Sequence, residues 1–527
     1  MRRPDIILIL ADDLGFSDLG CFGGEIPTPN LDRLSRGGVR LSQFYNTARC
    51  SPSRASLLTG KHPHQAGIGV LTRPDLPHGY PGDLAPEVPT VAELLASAGW
   101  ETWLSGKWHL SADASHPNGS WPTRRGFDRF FGTLAGCGSY FDPQTLMRGE
   151  SPADDAGAED FYYTDAISDQ AVTWIDDHGE RDQPFFLYLA YTAPHWPLHA
   201  RPEDVEIARG RYDEGWDRIR EQRLARLVRE GILPEGTSLS ERDPSQPEWD
   251  AEAEKRWQAS RMEVYAAQVH ALDRGVGEVV DALERNGRLE NALVIFLADN
   301  GGSAEELPIG PMETFVLKDR VMTEGTRSGQ TVRIGNSPDI PPGAEDTYTS
   351  YGVPWANVSN APFRRYKRWV HEGGIASPFI AHWPGGGLPA NRVLDATFQL
   401  VHVLPTILDA AGVRPDAFRP EGRSMLPTLR EERSGEEGDT LYWEHIGNAA
   451  VRRGRYKLVR AYPGPWELYD LQSDRVETHD LAARHPQIVE DLASAWQNWA
   501  ARVGVIDWDG MLAQYDAVGA PRFTAEE

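Results

Sequence analysis

Cysteine is scarce: three in 527 residues (Cys21, Cys50 and Cys137), widely spaced and with no CxxC pair. That odd count excludes a disulfide framework and a zinc knuckle. Long apolar runs are missing too, since no stretch approaches the roughly 20 residues needed to cross a bilayer. The N-terminal "MRRPDIILILADD" places only six apolar residues before its two aspartates. That is too short for a secretory signal, and no small-residue cleavage site follows. The expected location is the cytoplasm. Positive charge is in deficit: 53 Lys and Arg against 78 Asp and Glu leave a formal net charge of −25. So acidic a body repels nucleic acid and anionic membranes, and neither is an expected partner. A small anionic substrate would bind only where cations or a metal gather locally.

What is present is an alternation of short apolar runs with helical patterns, the mark of an α/β chain built on a doubly wound sheet. Strands are expected at Ile6–Leu10, Thr102–Leu104, Phe185–Ala190, Leu293–Leu297 and Pro378–His382. "TVAELLASAG" reads as a short helix with Thr90 as its N-cap and Gly99 as its stop. Met262, Tyr265, Val269, Leu272, Val276, Val279 and Leu283 recur at helical spacing and predict one apolar face. Arg209–Asp250 is highly charged and reads as a solvated helical insertion. Ser303–Val358 shows no period, and so long a loop region usually borders a site. "REERSGEEGD", Arg430–Asp439, is the linker expected between a large domain (1–429) and a smaller α+β domain (430–527) with an antiparallel sheet and a terminal helix.

Two of the expected strands end alike: "ILILADDLG" and "VIFLADNGG". Ligands of open α/β sheets bind beyond the carboxyl ends of the strands. If the two strands are neighbours, Asp12, Asp13, Asp299 and Asn300 share one crevice, where three carboxylates need a cation to coexist. All-oxygen donors suit Ca²⁺ or Mg²⁺ rather than zinc. Either copy alone reads as well as an Asx-turn or a helix cap. Other strand ends offer Lys107 and His109 in "GKWH", His195 among prolines, and Lys367 in "RRYKRWVHEGG". Singly these are ordinary surface or core residues; together they are the cations an anion would need. Cys50 opens "CSPSRASLLTGK" at a helix start, with Arg54 one turn further on the same face. A helix N-terminus and an arginine favour a charged nucleophile there; a buried free thiol is the plain alternative.

"CSPSRASLLTGK" resembles, without departure, the Cys-x-Pro-Ser-Arg signature of the type I, formylglycine-dependent sulfatases of the alkaline phosphatase superfamily. "ADDLGFSDLGCFGGEIPTPNLDRL", "GKWHL", "APHWPLHA", "ADNGG", "YKRWVHEGG" and "WELYDL" extend the resemblance along most of the chain, above all to bacterial arylsulfatases. It implies an alkaline-phosphatase-like fold with a large, mostly parallel sheet flanked by helices. It also implies that a separate formylglycine-generating enzyme converts Cys50 to Cα-formylglycine, whose hydrate is the nucleophile. Asp12, Asp13, Asp299, Asn300 and the residue-50 oxygen would then bind Ca²⁺. Arg54 would support the nucleophile and Asp299 take its proton. Lys107 and Lys367 would clamp the sulfuryl oxygens, His195 protonate the leaving group, and His109 assist at the second hydroxyl. The implied reaction is hydrolysis of aryl or simple alkyl sulfates. A phosphonate monoester or phosphodiester hydrolase of the same superfamily is the alternative, and a non-catalytic metal-binding scaffold with an unmodified thiol is a third reading.

Overall fold

The computed structural model describes residues 2–72, 78–310, 325–432 and 439–519. Its strands are β1 (Asp5–Ala11), β2 (Val39–Tyr45), β3 (Glu101–Gly106), β4 (Arg129–Thr133), β5 (Leu146–Arg148), β6 (Ser151–Pro152), β7 (Phe185–Ala190), β8 (Ala292–Ala298), β9 (Arg333–Ile334), β10 (Thr347–Tyr348), β11 (Ala376–His382) and β12 (Arg392–Gln399), followed near the C-terminus by β13 (Leu441–His445), β14 (Asn448–Arg453), β15 (Tyr456–Arg460) and β16 (Glu467–Asp470). Ten of them form one sheet in the order β12-β2-β11-β8-β1-β7-β3-β4-β5-β6. The pairs along β8-β1-β7-β3-β4 are all parallel. β11 runs against both β2 and β8, and β5 against β4 and β6. The sheet is thus mixed, with a parallel centre.

That centre explains the continuous apolar runs. Side chains alternate between the two faces of a strand. Ile7, Ile9 and Ala11 of β1 enter one apolar cluster, and Ile6, Leu8 and Leu10 enter the other. Both faces are covered, so every residue of β1 and β8 is buried. The helix Lys255–Arg285 covers the first face with the apolar stripe expected of it. The helices Cys50–Thr59, Val91–Ser97 and Val403–Ala411 cover the second. Thr90 caps Val91–Ser97 through a capping box with Glu93.

The charged stretch Arg209–Asp250 is a helical insertion, largely exposed as expected, but one face of it is buried. Its helix, Gly215–Arg229, buries Trp216, Ile219, Arg220, Arg223 and Leu227. Arg223 pairs with Asp18 and Glu25 at 2.6 Å each, so its charge faces inward to carboxylates far away in sequence. β13–β16 form the expected antiparallel sheet. The helix Pro486–Val503 packs on one face, and the other face joins the main core. A second helix, Trp508–Val518, was not expected; it packs on Val70 and Ile446. The middle of the expected linker, residues 433–438, lies outside the described residues. So do residues 311–324 of the long loop region, whose described part carries β9, β10 and the helix Gly352–Ser359. Among the described residues no helix is long and apolar enough to cross a membrane.

Candidate active site

β1 and β8 are parallel neighbours with Ala11 opposite Ala298. Asp12–Asp13 and Asp299–Asn300 therefore leave the sheet side by side. The Asp13 amide donates to Asp299 Oδ1 at 3.2 Å, and the Asn300 side-chain amide donates to Asp13 Oδ1 at 2.6 Å. Two strands along from β1, β3 ends at Gly106 beside Ala190 of β7. Gly106 has φ +117°, and a Cβ there would lie 2.0 Å from the Ala190 carbonyl oxygen. Only glycine makes this turn, which delivers the Lys107 ammonium to Asp12.

Cys50 is the first residue of its helix, and every residue of that helix is buried. One turn on, Arg54 donates to Asp299 Oδ2 through Nε (3.1 Å) and Nη2 (2.9 Å), and to the Lys107 carbonyl through Nη1 (3.1 Å). Lys367 reaches Asp13 Oδ2 at 2.8 Å and faces His195 Nε2 at 3.4 Å. Arg368 beside it instead lies over the Trp369 ring, 5.9 Å from its centroid. The His109 ring meets the Ser51 hydroxyl at 3.3 Å. The structure thus brings together all ten residues singled out in the sequence. Sequence reasoning missed Arg49 and Glu305. Glu305 lies in the loop region without a period, and accepts from Arg49 at 3.0 Å and from the Trp196 indole, with the Lys367 ammonium 3.5 Å away.

Low dielectric sets the charges. Burial pushes the Asp12 carboxyl up, but Lys107, His195, Arg54 and Lys367 outweigh it and hold the group well below the usual range. Asp299 moves the other way, to about 7, because burial and repulsion from Asp12 exceed the help of Arg54 and Lys107. Burial also raises the Cys50 thiol, against the pull of Lys107 and Lys367. It lowers the imidazoles of His109 and His195, with Lys107 adding to the effect on the first and Lys367 on the second.

A cation fits this donor set. Asp12 Oδ1 and Asn300 Oδ1 are buried oxygens without a hydrogen-bond partner among the described residues, a costly condition unless something positive meets them. One ligand atom each from Asp12, Asp13 and His195 lie within 4.8 Å of one another.

The mixed sheet flanked by helices, with a carboxylate crevice at the ends of its central strands, is shared with solved sulfatases of alkaline-phosphatase-like fold. Residues 4–413 match the sulfatase family model, and residues 364–499 match that of the N-sulphoglucosamine sulphohydrolase C-terminal region. An arylsulfatase of Klebsiella aerogenes is 35% identical over 81% of this chain and 90% of its own length. An uncharacterized sulfatase of Schizosaccharomyces pombe is 33% identical over 96% and 95%. The crystal structure of Ps i-CgsB with k-i-k-neocarrahexaose superposes with TM-score 0.69 at 25% identity, covering 99% of this chain and 98% of the other. The chain belongs to the sulfatase family and is a sulfuric ester hydrolase.

Proposed function

We propose that the protein hydrolyses aryl or simple alkyl sulfates in the cytoplasm, after a formylglycine-generating enzyme has matured Cys50. The observation that carries this reading is the convergence on buried Cys50 of two lysines, an arginine and a carboxylate crevice. Formylglycine at position 50 would supply a gem-diol, with one oxygen to attack sulfur and a second to expel sulfate. Ca²⁺, or Mg²⁺ in its place, held by Asp12, Asp13, Asp299, Asn300 and the residue-50 oxygen, would supply a Lewis acid.

The remaining chemistry belongs to this chain's own side chains. Lys107 and Lys367, fixed by Asp12 and Asp13, bind the sulfuryl oxygens and stabilise their charge in a dry site, commonly the largest catalytic contribution. Arg54 orients Asp299, which takes the nucleophile's proton. His195, as the imidazolium formed once an anionic substrate offsets Lys367, donates its Nε2 proton to the departing oxygen; its Nδ1 donates to the Trp196 carbonyl at 2.6 Å, which fixes the ring. Such acid help adds typically about 10²–10⁴-fold. His109, beside Ser51, receives the proton of the second hydroxyl.

The fold of a phosphonate monoester hydrolase of Agrobacterium radiobacter also superposes, with TM-score 0.59 at 18% identity. Sulfate and phosphate esters must therefore be compared directly. With 4-nitrophenyl sulfate the matured enzyme is expected to turn over and Cys50→Ala is expected to be inert; equal rates would end the proposal. A kcat/KM higher for the matched phosphate ester would reassign the substrate.

A further inference from the structure

Glu305 faces the same crevice as the cations and shares Lys367 with Asp13, but it is not in the group of Asp12, Asp13 and His195 whose ligand atoms gather closely enough for a metal. Its Oε1 lies 3.0 Å from Arg49 and 3.5 Å from Lys367, while Oε2 accepts from the Trp196 indole. Arg49 immediately precedes Cys50, Lys367 is the proposed clamp, and Trp196 follows His195. One carboxylate therefore ties together three of the segments that surround the sulfuryl position. The Ser350 hydroxyl donates to the Glu305 carbonyl and anchors its backbone. Only a fifth of the side chain is exposed.

Sulfate esters are monoanions, whereas the product, inorganic sulfate, is a dianion. We propose that Glu305 is a specificity-determining residue that sets the charge the anion site accepts, favouring monoanionic esters and disfavouring dianions, the product included. The inference rests on Lys367 binding the sulfuryl group. An anion held by Lys367 sits a few ångströms from Glu305. Its charge is met by Arg49 and by the clamp lysine itself, rather than by the proposed metal as for Asp12, Asp13 and Asp299. Burial would push the Glu305 carboxyl up, but Lys367, Arg49 and His195 outweigh burial and keep it ionised. Product release and rejection of phosphate monoesters, dianions near neutral pH, would follow from the same repulsion.

The test is calorimetric titration of inorganic sulfate and of methyl sulfate into calcium-loaded Cys50→Ala protein, which turns over neither. Adding Glu305→Gln is expected to tighten sulfate relative to methyl sulfate by about tenfold or more, the order set by one unit charge at such range. Glu305→Asp, which keeps the charge, is expected to keep the original ratio. Equal changes for both anions, or a shifted ratio in Glu305→Asp, would show a mere strut and overturn the inference. Glu305→Ser, a second neutral variant, is read by the same two outcomes if Glu305→Gln fails to fold. Binding ratios do not depend on turnover, so inertness of the matured enzyme toward 4-nitrophenyl sulfate would sink the catalytic reading separately.

Discussion

Arg54 and Asp299 lie 245 residues apart in sequence, yet both are wholly buried and joined by two hydrogen bonds to one carboxylate oxygen. Removing the guanidinium strands a carboxylate in the interior beside Asp12. Arg54→Ala should cost about 3–5 kcal/mol of stability, read as a lower midpoint in urea unfolding, and should abolish sulfatase activity. Arg54→Lys, with a single point of contact, should recover stability better than turnover. An Arg54→Ala protein as stable as wild type would show that the pair does not hold the crevice.

Calcium should raise the melting temperature of the wild-type protein. At a hundred times its dissociation constant, a ligand that binds only the folded state adds about 2.7 kcal/mol. Asn300→Ala and Asp12→Asn should each flatten this response and weaken calcium binding by calorimetry. Unchanged affinity in both would place the ion elsewhere.

Gly106→Ala introduces a methyl group where the Ala190 carbonyl already stands, at a backbone angle that alanine rarely adopts. The strand end must shift, and the Lys107 ammonium with it. kcat/KM for an aryl sulfate should fall by about a hundredfold, the usual penalty for a small misplacement of a catalytic group. A rate within twofold of wild type would mean that Lys107 tolerates displacement.

Glu421 bridges Gln65 and the helix Pro486–Val503. It accepts from both ends of the Arg502 guanidinium at 2.8 Å and from Gln65 at 2.9 Å. Burial pushes its carboxyl up, but Arg502, Gln65 and His62 prevail and lower it from 4.5 to about 2. A depressed carboxyl contributes stability that is complete above pH 4.5 and is lost as the pH falls toward 2, because the unfolded chain binds the proton first. Melting temperature should therefore fall more steeply between pH 5 and pH 3 in wild type than in Glu421→Gln. The difference should shrink in high salt, since Arg502 is half exposed. Parallel slopes would remove Glu421 from the acid response.

Most of the fold was legible because burial leaves a periodic trace. Continuous runs such as "IILIL" and "VIFLA" read as strands covered on both sides, and they are β1 and β8. The two "LAD" endings marked a shared crevice because parallel neighbours end at the same edge, and Ala11 opposite Ala298 meets that condition. Local spacing likewise put Arg54 on the face of Cys50. Periodicity records burial but not direction, so nothing in "ASPFIAH" told that β11 runs against its neighbours. Nor does charge in sequence reveal its partner. Arg209–Asp250 reads as a solvated insertion, and nothing in its charges shows that Arg223 turns inward to Asp18 and Glu25.

The sequence by itself marked five of the ten strands of the main sheet, the chemically important residues at their ends, and the family whose signature begins at Cys50. Tertiary structure alone decided that β11 runs against its neighbours, and that Glu305 joins the crevice from a loop without pattern. The reason is range. Backbone propensity and apolar spacing act over a few residues and leave their mark in the chain, whereas ion pairs between distant segments exist only once packing has excluded water and brought the charges within a few ångströms.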